Sequence, residues 1–180
     1  MAFFWNNSNL DPKRRYRYIL NIGNIPVWVI KTAAKPKATV STIEHVFLNH
    51  TFKYPGRVTW DPISVTLVDP YDPDMAKTML ERLIQSGYEY PEDENKRGTI
   101  SKKDSVQKGL IGVSISQING DGKVIETWTL TNPWISSVDF GGALDYSSDD
   151  MQEITLEIAF DYAKLETSGT GVQYAAGAVG

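Results

Sequence analysis

The sequence predicts a mainly β protein, an antiparallel two-sheet sandwich or barrel with one flanking α-helix. Three observations carry this. Apolar residues recur with period two along most of the chain, the alternation of a strand with one buried face. A single stretch breaks that period and adopts the i, i+3, i+4 spacing of a helix. Turn residues punctuate the alternating runs at short intervals, which favours antiparallel neighbours over long parallel crossovers.

The elements follow in order. Tyr16, Tyr18, Leu20 and Ile22 alternate with Arg15, Arg17 and Asn21. Gly23-Asn24 is a turn pair, and Ile25–Lys31 follows as a strand apolar on both faces, so residues 16–31 read as a hairpin. A third strand is expected around Lys37–Ser41, a fourth over Glu44–Lys53 ending at Tyr54-Pro55-Gly56, and a fifth over Val58–Val68 with Pro62 at a bulge or edge. Asp72 caps a predicted helix over about 73–86 with Pro73 at its first position and Gly87 at its end. Its apolar stripe is Ala76, Met79, Leu80, Leu83 and Ile84, and the Met79/Leu80/Leu83 face is expected to pack against a sheet.

Residues 88–104 are densely charged and read as an exposed loop. Ile111, Val113 and Ile115 then alternate with glycine and serine, Asn119-Gly120-Asp121-Gly122 forms a tight turn, and Val124–Thr131 returns with Trp128 and Leu130 on one face. The last strand alternates Ile154, Leu156, Ile158, Phe160 and Tyr162 with Thr155, Glu157, Ala159 and Asp161. Residues 1–166 form one expected domain, and 167–180, rich in Gly and Ala, an expected flexible tail. The sum is about eight strands and one helix, five strands before it and three after.

Composition narrows the chemistry. The chain has 180 residues, enough for one good core, and no cysteine, which excludes disulfides, thiolate metal sites and Cys nucleophiles. A formal net charge of −4 argues against a domain-wide basic field for nucleic acid. The N-terminus lacks the basic-then-apolar pattern of a secretory signal. His45 and His50, counted along one strand, point to opposite faces and share no metal. Asp69, Asp72 and Asp74 lack the glycine of a calcium loop and read as turn and cap residues. In Lys13–Tyr18 arginine and tyrosine interleave, a pattern that also serves as an ordinary amphipathic strand. No nucleophile elbow, phosphate loop or dinucleotide fingerprint is present, so no enzyme, no cofactor, no metal and no small-molecule substrate is expected. What remains is a strand-rich protein with edges to cover, suited to self-association.

Three segments carry a family resemblance: RYRYILNIGNIPVWVIKTAAKPKATV, VTWDPISVTLVDPYDPDMAKTMLERLIQS, and the stretch from GKVIETWTLTNPW to the strand ending in FDY. Across residues 14–166 the sequence resembles the T4-like tail tube proteins of contractile-tailed bacteriophages, to which the haemolysin-coregulated tube proteins of type VI secretion are related. The resemblance implies a virion protein whose homohexameric rings close into a β-barrel and stack into the inner tail tube. The DNA passes through that lumen without specific binding, and the partners are tail sheath, tape-measure and baseplate proteins, assembled in the host bacterial cytoplasm. A baseplate tube initiator or a type VI-like tube is the near alternative, and a stand-alone β-sandwich binding module the distant one. The Gly/Ala-rich tail and the charged insertion depart from the family pattern.

On that reading the lumen-facing candidates are Ser114, Ser116, Thr127, Thr129, Thr155, Glu157 and Asp161, small polar or acidic groups that offer DNA few footholds. The ring-stacking candidates are Phe47, Leu48, Phe52 and Tyr54, on an excursion over about 41–57 that corresponds to the loop reaching the adjacent ring. That segment is expected to order only within the tube.

Overall fold

The computed structural model describes residues 12–92 and 95–167. Ten strands and two helices are present among them, five strands on either side of the helical segment. The strands are β1 (Tyr18–Ile22), β2 (Ile30–Ala33), β3 (Lys37–Phe47), β4 (His50–Asp61) and β5 (Ile63–Val68), then β6 (Val113–Ile118), β7 (Val124–Thr131), β8 (Trp134–Asp139), β9 (Glu153–Ala159) and β10 (Tyr162–Thr167). The helices are α1 (Met75–Gln85) and the short α2 (Lys102–Asp104), which runs into one π-helical turn at Ser105–Gly109.

Two four-stranded antiparallel sheets, ordered β1-β6-β7-β10 and β2-β5-β9-β8, enclose one core, and among the described residues β3 and β4 pair only with each other. The first sheet contributes Leu20, Ile22, Val113, Ile115 and Leu130 to that core. The second contributes Ile63, Val65, Leu67, Ile154, Leu156 and Ile158. This is the expected mainly β sandwich with a flanking helix.

Several elements differ from the sequence reading. Residues 16–31 do not form a hairpin. β1 pairs with β6 and β2 with β5, so the chain passes from one sheet to the other between Ile22 and Ile30. A 3-10 turn at Val27–Val29 makes the crossing, burying Ile25 and Val29 while Val27 and Trp28 stay exposed. That turn, rather than a strand covered on both sides, accounts for the doubly apolar run.

The final alternating run is two strands in different sheets, not one. β9 lies in the second sheet and β10 in the first, with Phe160-Asp161 as the corner. Beside it, Asn132-Pro133 carries β7 into β8, a strand the sequence reading missed. The two corners are tied together. The Asp161 amide donates to the Thr131 carbonyl at 3.0 Å, the Asn132 amide group donates to the Asp161 carboxylate at 2.7 Å, and Lys102 closes on the same carboxylate at 2.7 Å. The Asn132 hydrogen bond, followed by that from Lys102, holds the Asp161 carboxyl below the usual carboxylate range.

Helix α1 starts two residues later than predicted. Asp74, not Asp72, is its N-cap and accepts from the Lys77 amide at 2.8 Å, so Pro73 lies outside the helix. Gly87 ends it at φ +105°, and a Cβ there would meet the Thr99 carbonyl oxygen at 2.6 Å. The buried stripe is Met75 and Met79, with Leu80 and Leu83 half-buried and Ile84 exposed. Met79→Ala is therefore expected to cost about 2–5 kcal/mol, and Leu83→Ala only about 1 kcal/mol. Chemical denaturation of the two variants checks the order. The described residues of the charged stretch are irregular and exposed only to residue 100, because Ser101 caps α2 by accepting from the Asp104 amide. The tail after Thr167 lies outside the described residues.

Candidate assembly surfaces

The β3–β4 ribbon is the largest departure from a closed sandwich. Every β3 residue is exposed, and on β4 only Gly56, Trp60 and Asp61 are partly covered. A two-stranded ribbon with no second layer is marginal in water unless something covers it. The predicted fourth strand was expected to end at Tyr54-Pro55-Gly56, yet this triplet sits inside β4, where Pro55 faces Thr42.

Gly56 belongs to a bulge. Between the pairs Val40–Val58 and Thr42–Pro55, β3 has one residue, Ser41, and β4 has two, Gly56 and Arg57. Ser41 Oγ accepts from the Arg57 amide at 2.9 Å, and a Cβ on Gly56 would come within 2.3 Å of that oxygen. The bulge changes which face of the ribbon is apolar. Below it, Ala38, Val40, Val58 and Trp60 share one face, and Trp60 packs against the core beside Phe160 with ring centroids 6.0 Å apart. Beyond it, the opposite face carries Ile43, Phe47, Phe52 and Tyr54.

Three of the stacking candidates, Phe47, Phe52 and Tyr54, are thus brought together on one face of the distal half. The fourth, Leu48, occupies the turn with φ 52° and is 82% exposed. His45 and His50 also share that face, contrary to the parity count. The chain reverses at Leu48-Asn49, so the two lie on different strands, opposite Phe52 and Phe47 respectively. Among the described residues, no group of three or more His, Asp or Glu is arranged to hold a metal ion.

The root of the ribbon is secured by a buried carboxylate that the sequence reading did not single out. Glu126 on β7 is buried on the same face as Trp128 and Leu130. It is ion-paired with Lys13 and, at 2.7 Å, with Lys35, which sits just before β3. The Trp128 indole donates to Glu126 Oε1 at 2.7 Å, and Lys35 also donates to the Gln117 side-chain oxygen. Burial pushes the Glu126 carboxyl up, but the hydrogen bonds from Lys13, Lys35 and Trp128 and the charge on Lys35 outweigh it and hold its pKa at about 2. Period two from Leu130 through Trp128 to Glu126 was the available signal.

The lumen candidates divide into two groups. Ser114, Ser116, Thr127 and Thr129 pair across β6 and β7, and Ser116 is buried with its hydroxyl 3.1 Å from that of Thr127. They alternate with the core residues of the first sheet and so lie on its outer face. Thr155 and Glu157 lie on the outer face of the second sheet, where Glu157 faces Ser64 and Ser137. These faces back onto the core from opposite sides and do not form one surface. Asp161 joins neither, being held in the corner by Asn132 and Lys102.

The sequence matches no protein-family model and no curated protein. Solved structures do match the fold. A chain of the anti-feeding prophage cap (AFP tube terminating cap) aligns with TM-score 0.65 at 18% identity, over 93% of this chain and 100% of that one. A chain of the PVC sheath-tube complex, an extracellular contractile injection system in its extended state, aligns with TM-score 0.63 at 16% identity, over 93% and 99%. A chain of the anti-feeding prophage baseplate gives TM-score 0.62 at 14% identity, over 89% and 99%. This chain thus shares its fold, over nearly its full length, with these chains of contractile injection assemblies.

Proposed function

We propose that this chain is a non-enzymatic tube subunit of a phage-like contractile tail. Homohexameric rings stack into an inner tube, surrounded by sheath, built on a baseplate around a tape-measure protein, and assembled in the host bacterial cytoplasm. The observation that carries this reading is the exposed, apolar-tipped β3–β4 ribbon on a sandwich whose fold is shared over nearly its full length by chains of such assemblies. Among the described residues each sheet also ends in strands with one unpaired edge, β1 and β10 in the first sheet and β2 and β8 in the second, through which copies can join side by side. Negative-stain imaging of concentrated protein tests the reading. Rings or tubes support it, and a stable monomer at every concentration refutes it.

Within this reading the outer face of the second sheet is the wall of the channel. It presents Ser64, Thr66, Thr155, Glu157 and Ser137 in register, whereas the first sheet places Lys164 against Thr129. A wall of hydroxyls and carboxylates, its Lys31 held by Glu153, repels phosphates and gains little from counterion release, so DNA slides through without binding. Glu157→Lys adds one cation per subunit on an exposed site. Tubes are expected to assemble normally, while DNA release slows and recovers with added salt. Release indifferent to the substitution would remove this face from the channel.

A further inference from the structure

Strand register in the second sheet fixes which connections leave from which end. Ile63, where the β3–β4 ribbon rejoins the body, sits opposite Ile158, and Val68 sits opposite Glu153. On the other flank Trp134 sits opposite Ala159 and Asp139 opposite Thr155. The ribbon therefore leaves at the Ile158 end. The connection from Asp139 to Glu153 leaves at the other end.

That connection has its own apolar side chains in the open. Leu144 is 88% exposed, Met151 67%, and Tyr146 fully exposed. With Ala143 and Gln152 they line a cavity of about 850 Å³. Asp145, Asp150 and Glu153 line it together with Lys31; Asp139 and Asp149 belong to the same connection, and no Lys or Arg occurs between 139 and 153. Glu153 is already paired with Lys31, which leaves four aspartates in excess. The ribbon has no such excess of acid: Lys37 is paired with Asp61 and Lys53 with Glu44, which leaves Arg57 at the bulge, and both histidines of the chain lie on the face of its apolar tip.

We propose that the 140–152 connection is the receptor for the ribbon tip of a second copy. Phe47, Phe52 and Tyr54 enter the cavity beside Leu144, Tyr146 and Met151, and the imidazoles of His45 and His50, on the same face of the ribbon, lie against the aspartates. Ribbon and receptor leave the body at opposite ends, so the contact joins one copy to the next head to tail. The inference rests on the tube reading above and adds which surface of the next ring is engaged.

The absence of native cysteine makes the test direct. Phe52→Cys and Leu144→Cys are introduced together and singly, and assembled protein is oxidised and run on a non-reducing gel. The double variant is expected to give a ladder of covalent oligomers, and neither single variant a ladder. As an independent measurement, Asp145→Lys with Asp149→Lys is expected to leave the thermal melt unchanged and rings intact, while abolishing tubes. Tubes that form normally in this charge variant, together with no ladder in the cysteine pair, overturn the receptor assignment and leave the tube reading standing. Failure of the unaltered protein to form rings or tubes overturns both.

Discussion

Replacing residues 43–54 with a short Gly-containing turn is expected to abolish tube growth while rings still form. The residues removed are exposed and pair only with one another. The core of both sheets lies elsewhere, so the body should melt as before. What disappears is the face carrying Ile43, Phe47, Phe52 and Tyr54, the largest apolar surface on the ribbon beyond the bulge. Sedimentation and negative-stain imaging separate the outcomes. Tubes of normal length would show that the ribbon does not stack rings, and loss of rings as well would place it in lateral contacts instead.

The second large effect is expected at Glu126. Glu126→Ala leaves Lys13 and Lys35 without their shared carboxylate and the Trp128 indole without its acceptor. Breaking a buried pair costs about 3–5 kcal/mol, and because both lysines are half-exposed and rehydrate, about 3 kcal/mol is the expected loss. Glu126→Gln keeps an acceptor for Trp128 and should cost less. The pH dependence has a definite sign. The carboxyl is lowered from an ordinary value of 4.5 to about 2, so its contribution is present in full above pH 4.5 and is lost as pH falls from there through about 2. Over that window wild-type stability should decline more steeply than that of Glu126→Gln. Parallel curves would show that the carboxylate does not support the native state in this way.

The two sheets and the helix were legible because their signals are local. Asn119–Gly122 closes β6 onto β7 as the turn signal predicts, and the core parity of Ile154, Leu156 and Ile158 was visible. Sheet membership was not. Alternation reports which side of a strand faces inward, but not which sheet the strand has joined. The run through Phe160 to Tyr162 therefore read as one strand, and Gly23-Asn24 read as a hairpin turn although Ile25 and Val29 carry the chain across the core. The histidine parity failed for the related reason that a reversal at Leu48-Asn49 restarts the count. Of the candidate surfaces, the apolar tip was legible because Phe47, Leu48 and Phe52 are too apolar for a free loop. The cavity of the 140–152 connection was not, since Leu144, Tyr146 and Met151 are scattered among aspartates and serines with no period to mark them.

The paired corners at Asn132-Pro133 and Phe160-Asp161 have a mechanical consequence. At this end of the sandwich the polypeptide passes between the layers twice within a few ångströms, and the two passages are laced by Asn132, Asp161 and the Thr131 carbonyl. Sliding one layer along the other would have to stretch covalent backbone at both passages, whereas unlaced layers resist only through side-chain packing. An axial thrust applied to the second sheet is thereby delivered to the first as tension in the main chain. A ring built of such subunits transmits force as a stiff body, and deformation is left to the contacts between subunits.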